Sequence, residues 1–142
     1  MRRFPSVATA DDLTGIPLFA GLTDAERASL AEWFEISDAG TGTNLVSEGA
    51  SGYSFYVLID GAAEVTVGGE TVATYGPGDF FGEMAILGGG RRNATVTITA
   101  PSRLLSMFGT EFRMLQEVQP DVAARLEETM KQRAAELDQL NA

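Results

Sequence analysis

Two side chains in the stretch FGEMAILGGGRRNATV, residues 81–96, could do chemistry together: the Glu83 carboxylate and the Arg92 guanidinium, on either side of three consecutive glycines. A guanidinium donates charge-assisted, often bidentate hydrogen bonds to phosphate oxygens. A carboxylate repels a phosphate but accepts from hydroxyls beside it. The run EMAIL predicts a single helical turn, whose first backbone N–H groups, near Gly82 to Ala85, have no partner inside the helix and lie at the positive end of its dipole. A strand delivering Phe80 and Phe81 leads into this turn, and Gly82 permits close approach of backbone. A ligand with its phosphate on Arg92 and the amides and its hydroxyls on Glu83 is a nucleotide. Two plainer readings compete: Arg91 and Arg92 as a solvated surface pair, and Glu83 as an acid that merely suits a helix N-terminus.

The rest of the chain removes other chemistries. With no cysteine and no histidine, thiolate sites, disulfides, the commonest metal ligand and the commonest neutral-pH general base are all absent. No nucleophile–base pair can be named, so binding rather than turnover is expected, with no cofactor and no metal. A formal net charge of −10 repels a phosphate backbone, which argues against direct nucleic-acid binding. Residues 28–90 hold nine acids and no Lys or Arg, so positive charge returns only where the glycine loop ends. No apolar run reaches the about 18 residues of a membrane span, and the N-terminus has no signal-peptide core, so a cytoplasmic location is expected.

Glycine divides the elements that must position this stretch. Thirteen of the sixteen glycines lie between Gly40 and Gly90, which predicts helix, then sheet, then helix. Thr23 and Glu26 form a capping-box pattern ahead of Leu30, Trp33 and Phe34. The middle reads as short strands, WFEIS, TNLVSE, YSFYVLI, AAEVTV, ETVATY, NATVTITA and RLLSMF, with a type I′ hairpin at Gly68-Gly69. Thr110 is placed to cap a helix bearing Phe112, Leu115 and Val118, which Pro120 ends or restarts. From Asp121 one long amphipathic helix carries Val122, Leu126, Met130, Leu137 and Leu140. That stripe can pack on the sheet, form a dimer seam or cover a ligand.

The ordered run Phe81-Gly82-Glu83-Met84-Ala85-Ile86-Leu87, then Arg92-Asn93-Ala94-Thr95-Val96, resembles the phosphate-binding cassette of the cyclic nucleotide-binding domain family. IPLFAGLTDAE, GTNLVSEGASGYSFYVLIDGAAEV and YGPGDFFGE resemble the segments before that cassette, in the family's order, so the likeness covers nearly the whole chain. It implies an α+β fold: an antiparallel jelly-roll barrel at about 35–108, an N-terminal helical part at about 9–34, and C-terminal helices at about 110–140, in one domain over 1–142. It assigns Arg92, with the amides around Gly82 and Ala85 and the neighbouring Asn93, to the exocyclic phosphate, and Glu83 to the ribose 2′-hydroxyl. Phe81, Met84 and Ala94 are cassette neighbours.

The family often has proline where this chain has Arg91, and a Thr or Ser goes with cGMP, or Ala with cAMP, where it has Asn93. Asn carries both a donor and an acceptor, and nothing else reads guanine, so cAMP is expected and cGMP stays open. Matching strand positions put the base against Val65, Val67 and Val72, under a lid in which Thr129 meets the adenine edge and Arg133 its face. The function implied is a sensor that passes binding on through its last helix, with a homodimer through that helix as a further possibility. The alternatives are an interaction or dimerisation module with a vestigial pocket, and the sensor part of a longer transcription factor.

Overall fold

The computed structural model describes residues 6–46, 54–82 and 94–141, with side chains as far as Gln132. In chain order it contains β1 (Ser6–Val7), α1 (Ala10–Leu13), a 3₁₀ turn (Pro17–Phe19), α2 (Asp24–Ala31), β2 (Glu35–Ala39), β3 (Asn44–Val46), β4 (Ser54–Val67), β5 (Glu70–Tyr75), β6 (Phe80–Phe81), β7 (Thr95–Phe108), α3 (Gly109–Val118) and α4 (Pro120–Asn141). The sheet is antiparallel, ordered β1-β2-β7-β4-β5, with β3 on β7 and β6 on β4. This is an α+β, jelly-roll-like arrangement. Among the described residues the sheet does not close into a barrel: β3 and β6, the short strands off the main path, pair only with β7 and β4.

Local chemistry explains where the helices start. In α2, the Thr23 hydroxyl accepts from the Glu26 amide at 3.1 Å while the Glu26 carboxylate accepts from the Thr23 amide at 2.9 Å, so two otherwise unpaired donors are satisfied reciprocally. The helix at 109 begins two residues earlier than a Thr110 cap implies, because Glu111 reaches back to the Phe108 amide at 2.9 Å. Pro120 opens α4, at a position where its missing N–H costs nothing. Gly68 and Gly69 take φ of 59° and 86°, as a type I′ turn requires.

The frame is the pair of fourteen-residue strands β4 and β7. The sequence reading breaks each of them, at Gly61 and at Pro101, yet both run through. Their register slips by one residue around Asp60–Ala63, so β4 bends without separating from β7. Ser102, buried here, takes over the local hydrogen bonding: its Oγ accepts from the Ala62 amide at 3.2 Å and donates to the Ala100 carbonyl at 2.7 Å. Gly61 sits at φ 105°, where a Cβ would lie 2.1 Å from Ser102 Oγ. Only glycine fits.

The interior is divided into two cores. Phe55, Val57, Leu105 and Met107 face a helical core with Leu13, Phe19, Leu30, Phe34, Phe112 and Leu115. Leu58 and Leu104, the next residues along, turn to the other side and join Ala63, Val65, Phe81, Val96 and Ile98 in a strand core. Consecutive residues of a strand point to opposite faces, so Val57-Leu58 and Leu104-Leu105 can be buried together only where both faces are covered. In α4, Val122, Ala123, Leu126 and Met130 are buried in the helical core. Of the three roles open to its stripe, that part packs on the fold.

Candidate nucleotide-binding site

β6 brings the candidate cassette to the sheet. Phe81 pairs in register with Tyr56 and Phe80 with Val57. The two phenylalanines point to opposite faces. Phe80 lies 5.7 Å from Phe55, ring centre to ring centre, at the edge of the helical core. Phe81 is 2% exposed and stacks between Tyr56 and Tyr75, with both centroids 5.3 Å away and interplanar angles of 25° and 5°. Gly82 follows at φ 78°, a conformation that residues with a Cβ rarely adopt. The other end of the cassette is tied as firmly: Ala94 packs on the strand core, Thr95 pairs with Thr66 and Val96 with Val65.

The approach to β6 is a closed turn. Asp79 accepts from the Gly76 amide at 2.8 Å through its carboxylate, the Gly78 amide donates to Leu58 O at 2.7 Å, and the Leu58 amide donates to Asp79 O at 2.8 Å. Gly78 passes close to the 3₁₀ turn, since a Cβ there would meet Pro17 Cδ at 3.2 Å.

Glu83, Met84, Ala85, Arg92 and Asn93, and with them the helical turn expected at EMAIL, lie outside the described residues. The three valines expected at the base differ in burial. Val65 is 7% exposed inside the strand core, whereas Val67 and Val72 are 43% and 59% exposed towards the Gly68-Gly69 hairpin. Thr129 stands apart from them: it donates to the Arg125 carbonyl at 3.1 Å and lines a cleft of about 180 Å³ between α4 and the 3₁₀ turn, with Pro17, Leu18 and Leu22. The Arg133 side chain lies outside the described residues.

α4 is tied to α2 by polar contacts. The Arg125 guanidinium pairs with Glu26, whose carboxyl is held below its ordinary range first by the Thr23 backbone N–H and then by Arg125. Gln119, just before α4, donates to the Ser29 hydroxyl on α2. Sequence reading missed this link and the Tyr56–Phe81–Tyr75 stack, since both join residues far apart in the chain. The available signal was a tyrosine ending the run ETVATY, just before the glycine turn that leads to the cassette. Among the described residues, no cluster of three or more acids could hold a metal ion, and no helix is long and apolar enough to cross a membrane.

Residues 39–118, more than half of the chain, match the family described as "Cyclic nucleotide-binding domain". The chain belongs to that family. Among curated proteins, this cyclic nucleotide-binding domain is 36% identical over 107 residues to a cAMP-dependent protein kinase regulatory subunit of Colletotrichum orbiculare, covering 74% of this chain and 27% of that protein. Among solved structures it resembles the catabolite activator protein of Thermus thermophilus, at 30% identity and a TM-score of 0.73 over 86% of this chain and 60% of that one. It also resembles cAMP-bound PfPKA-R, at 27% identity and a TM-score of 0.69 over 91% of this chain and 46% of that one. The domain thus spans about a quarter of the curated kinase subunits it matches.

Proposed function

We propose that this domain is a cytoplasmic sensor that binds cAMP, without turnover, and passes the event on through α4. Arg92 takes the exocyclic phosphate with the amides around Gly82 and Ala85, Asn93 sits beside them, and Glu83 accepts from the ribose 2′-hydroxyl. The observation that carries this reading is the placement of Gly82: the two-residue strand β6 lies in register on β4 and delivers a positive-φ glycine directly ahead of Glu83, inside the matched segment. The cAMP-bound state of the similar PfPKA-R supports the choice of ligand.

Calorimetry of the chain against cAMP and cGMP tests it. Arg92→Ala weakens cAMP binding by about 2–5 kcal/mol, more than Arg91→Ala does, because a desolvated phosphate loses its charged partner. Glu83→Ala costs about 1.5–3 kcal/mol against cAMP and much less against 2′-deoxy-cAMP, where the hydrogen bond is already missing. Uptake of neither nucleotide by the parent chain overturns the sensor reading in favour of an interaction module.

A further inference from the structure

A two-residue strand with two register pairs is a weak anchor for a binding loop. In this fold β6 is held by rings on both faces. Below it a file of phenylalanines runs from Phe80 through Phe55 and Phe34 to Phe19, with centroid separations of 5.7, 6.4 and 5.7 Å. Above it Phe81 is the middle ring of three. Its outer neighbours differ in origin: Tyr56 is its partner across the ladder, whereas Tyr75 is the last residue of β5 and comes from the far side of the glycine turn. Tyr75 and Phe81 are nearly parallel, at 5°, so the turn between them closes on its own stacked ends. Parallel offset rings at this separation are a favoured aromatic geometry.

We infer that Tyr75, with Tyr56, is a positioning residue for the phosphate site. The stack fixes the plane and height of Phe81, and therefore the place of the Gly82 amide, one bond further along the chain. A loosened Phe81 leaves Arg92 and Glu83 chemically intact but moves the amides that complete the phosphate contact. The inference rests on the proposed cyclic nucleotide reading.

The test compares Tyr75→Phe, which keeps the ring, with Tyr75→Leu, which keeps apolar bulk but cannot stack. Circular dichroism at the titration temperature establishes that each is folded. By calorimetry, Tyr75→Phe binds cAMP within about twofold of the parent, and Tyr75→Leu about tenfold more weakly, the scale of a lost aromatic pair. Hydrogen exchange of the unliganded protein supplies a readout that needs no nucleotide: amides of residues 76–82 exchange faster in Tyr75→Leu while those of α2 do not change. Tyr75→Leu that binds like the parent, or that speeds exchange equally in 76–82 and in α2, overturns the positioning role. If the parent takes up neither cAMP nor cGMP, the ligand assignment fails. Exchange then decides the stack by itself: selective acceleration at 76–82 upholds its hold on Gly82, and no acceleration overturns it.

Discussion

The helical core gathers Phe19, Phe34, Phe55 and Phe112 around Leu13, Leu30, Leu105 and Leu115, whereas the strand core holds one buried phenylalanine, Phe81, among Leu58, Ala63, Val65, Val96, Ile98 and Leu104. Both are built on β4 and β7. The first joins elements from Ala8 to Met130 and uses large rings that bury much apolar area each. The second uses smaller side chains, and its one fully buried large ring sits where the cassette begins. Large rings and smaller aliphatic side chains are thus separated along the same two strands.

Substitutions can break or sharpen this contrast. Phe55→Ala, between Phe34 and Phe80, should give the largest loss, about 3–5 kcal/mol of folding stability, because it empties the middle of the phenylalanine file. Urea unfolding of the purified chain measures it. Gly61→Ala acts at the boundary between the cores, where the left-handed backbone alone costs about 1–3 kcal/mol and the overlap with Ser102 adds to it. Ser102→Ala in the same background relieves part of the overlap, so the two costs should not add. In the strand core, Ile98→Val should cost only about 0.5–1.5 kcal/mol. A loss there as large as that of Phe55→Ala would end the claim that stability is concentrated on the helical side.

The smallest effect is expected at the link between α2 and α4. The Glu26 carboxyl is depressed below its ordinary value of 4.5 by the Thr23 amide and Arg125, so the folded state favours its ionised form. Its contribution is fully present above that ordinary value and is lost as pH falls through the lower folded-state value. Glu26→Gln should therefore lower the melting temperature slightly at neutral pH, with the gap to the parent closing in acid. A gap that widens in acid would contradict the assigned partners.

The features legible in the sequence are those whose physics is local. The Thr23–Glu26 box, the Gly68-Gly69 turn and the Gly- and Pro-free run of the last helix each depend on residues within a few positions of one another. The long strands were hidden because each contains what reads as a breaker. Asp60 pairs with Arg103 and Ala62 with Ala100, so Gly61 lies opposite Pro101 and Ser102, and the two irregularities compensate across the ladder. One strand read alone cannot reveal that. β1 and α1 are too short for any period to register, at two and four residues. In the candidate site, the glycine and the aromatic pair ahead of it were legible, whereas Tyr56 and Tyr75 became relevant only once β4, β5 and β6 were side by side. Val67 and Val72 follow the strand alternation that suggests an inner wall, but the irregular pairing between Val65 and Thr66 and their nearness to the hairpin leave them in solvent.

The β4–β7 ladder ties Thr66 to Thr95 and so turns everything between them, β5, β6 and the cassette, into one closed loop of the chain. The entropy of closing such a loop rises only with the logarithm of its length, about 0.6 kcal/mol for each doubling. A residue gained or lost within the cassette therefore changes the cost of assembling the scaffold very little, whereas the same event inside β4 or β7 shifts every side chain beyond it to the wrong face. The fold in this way exempts the cassette from the rules that govern its frame, and descendants of this chain can vary that segment without relearning how to fold.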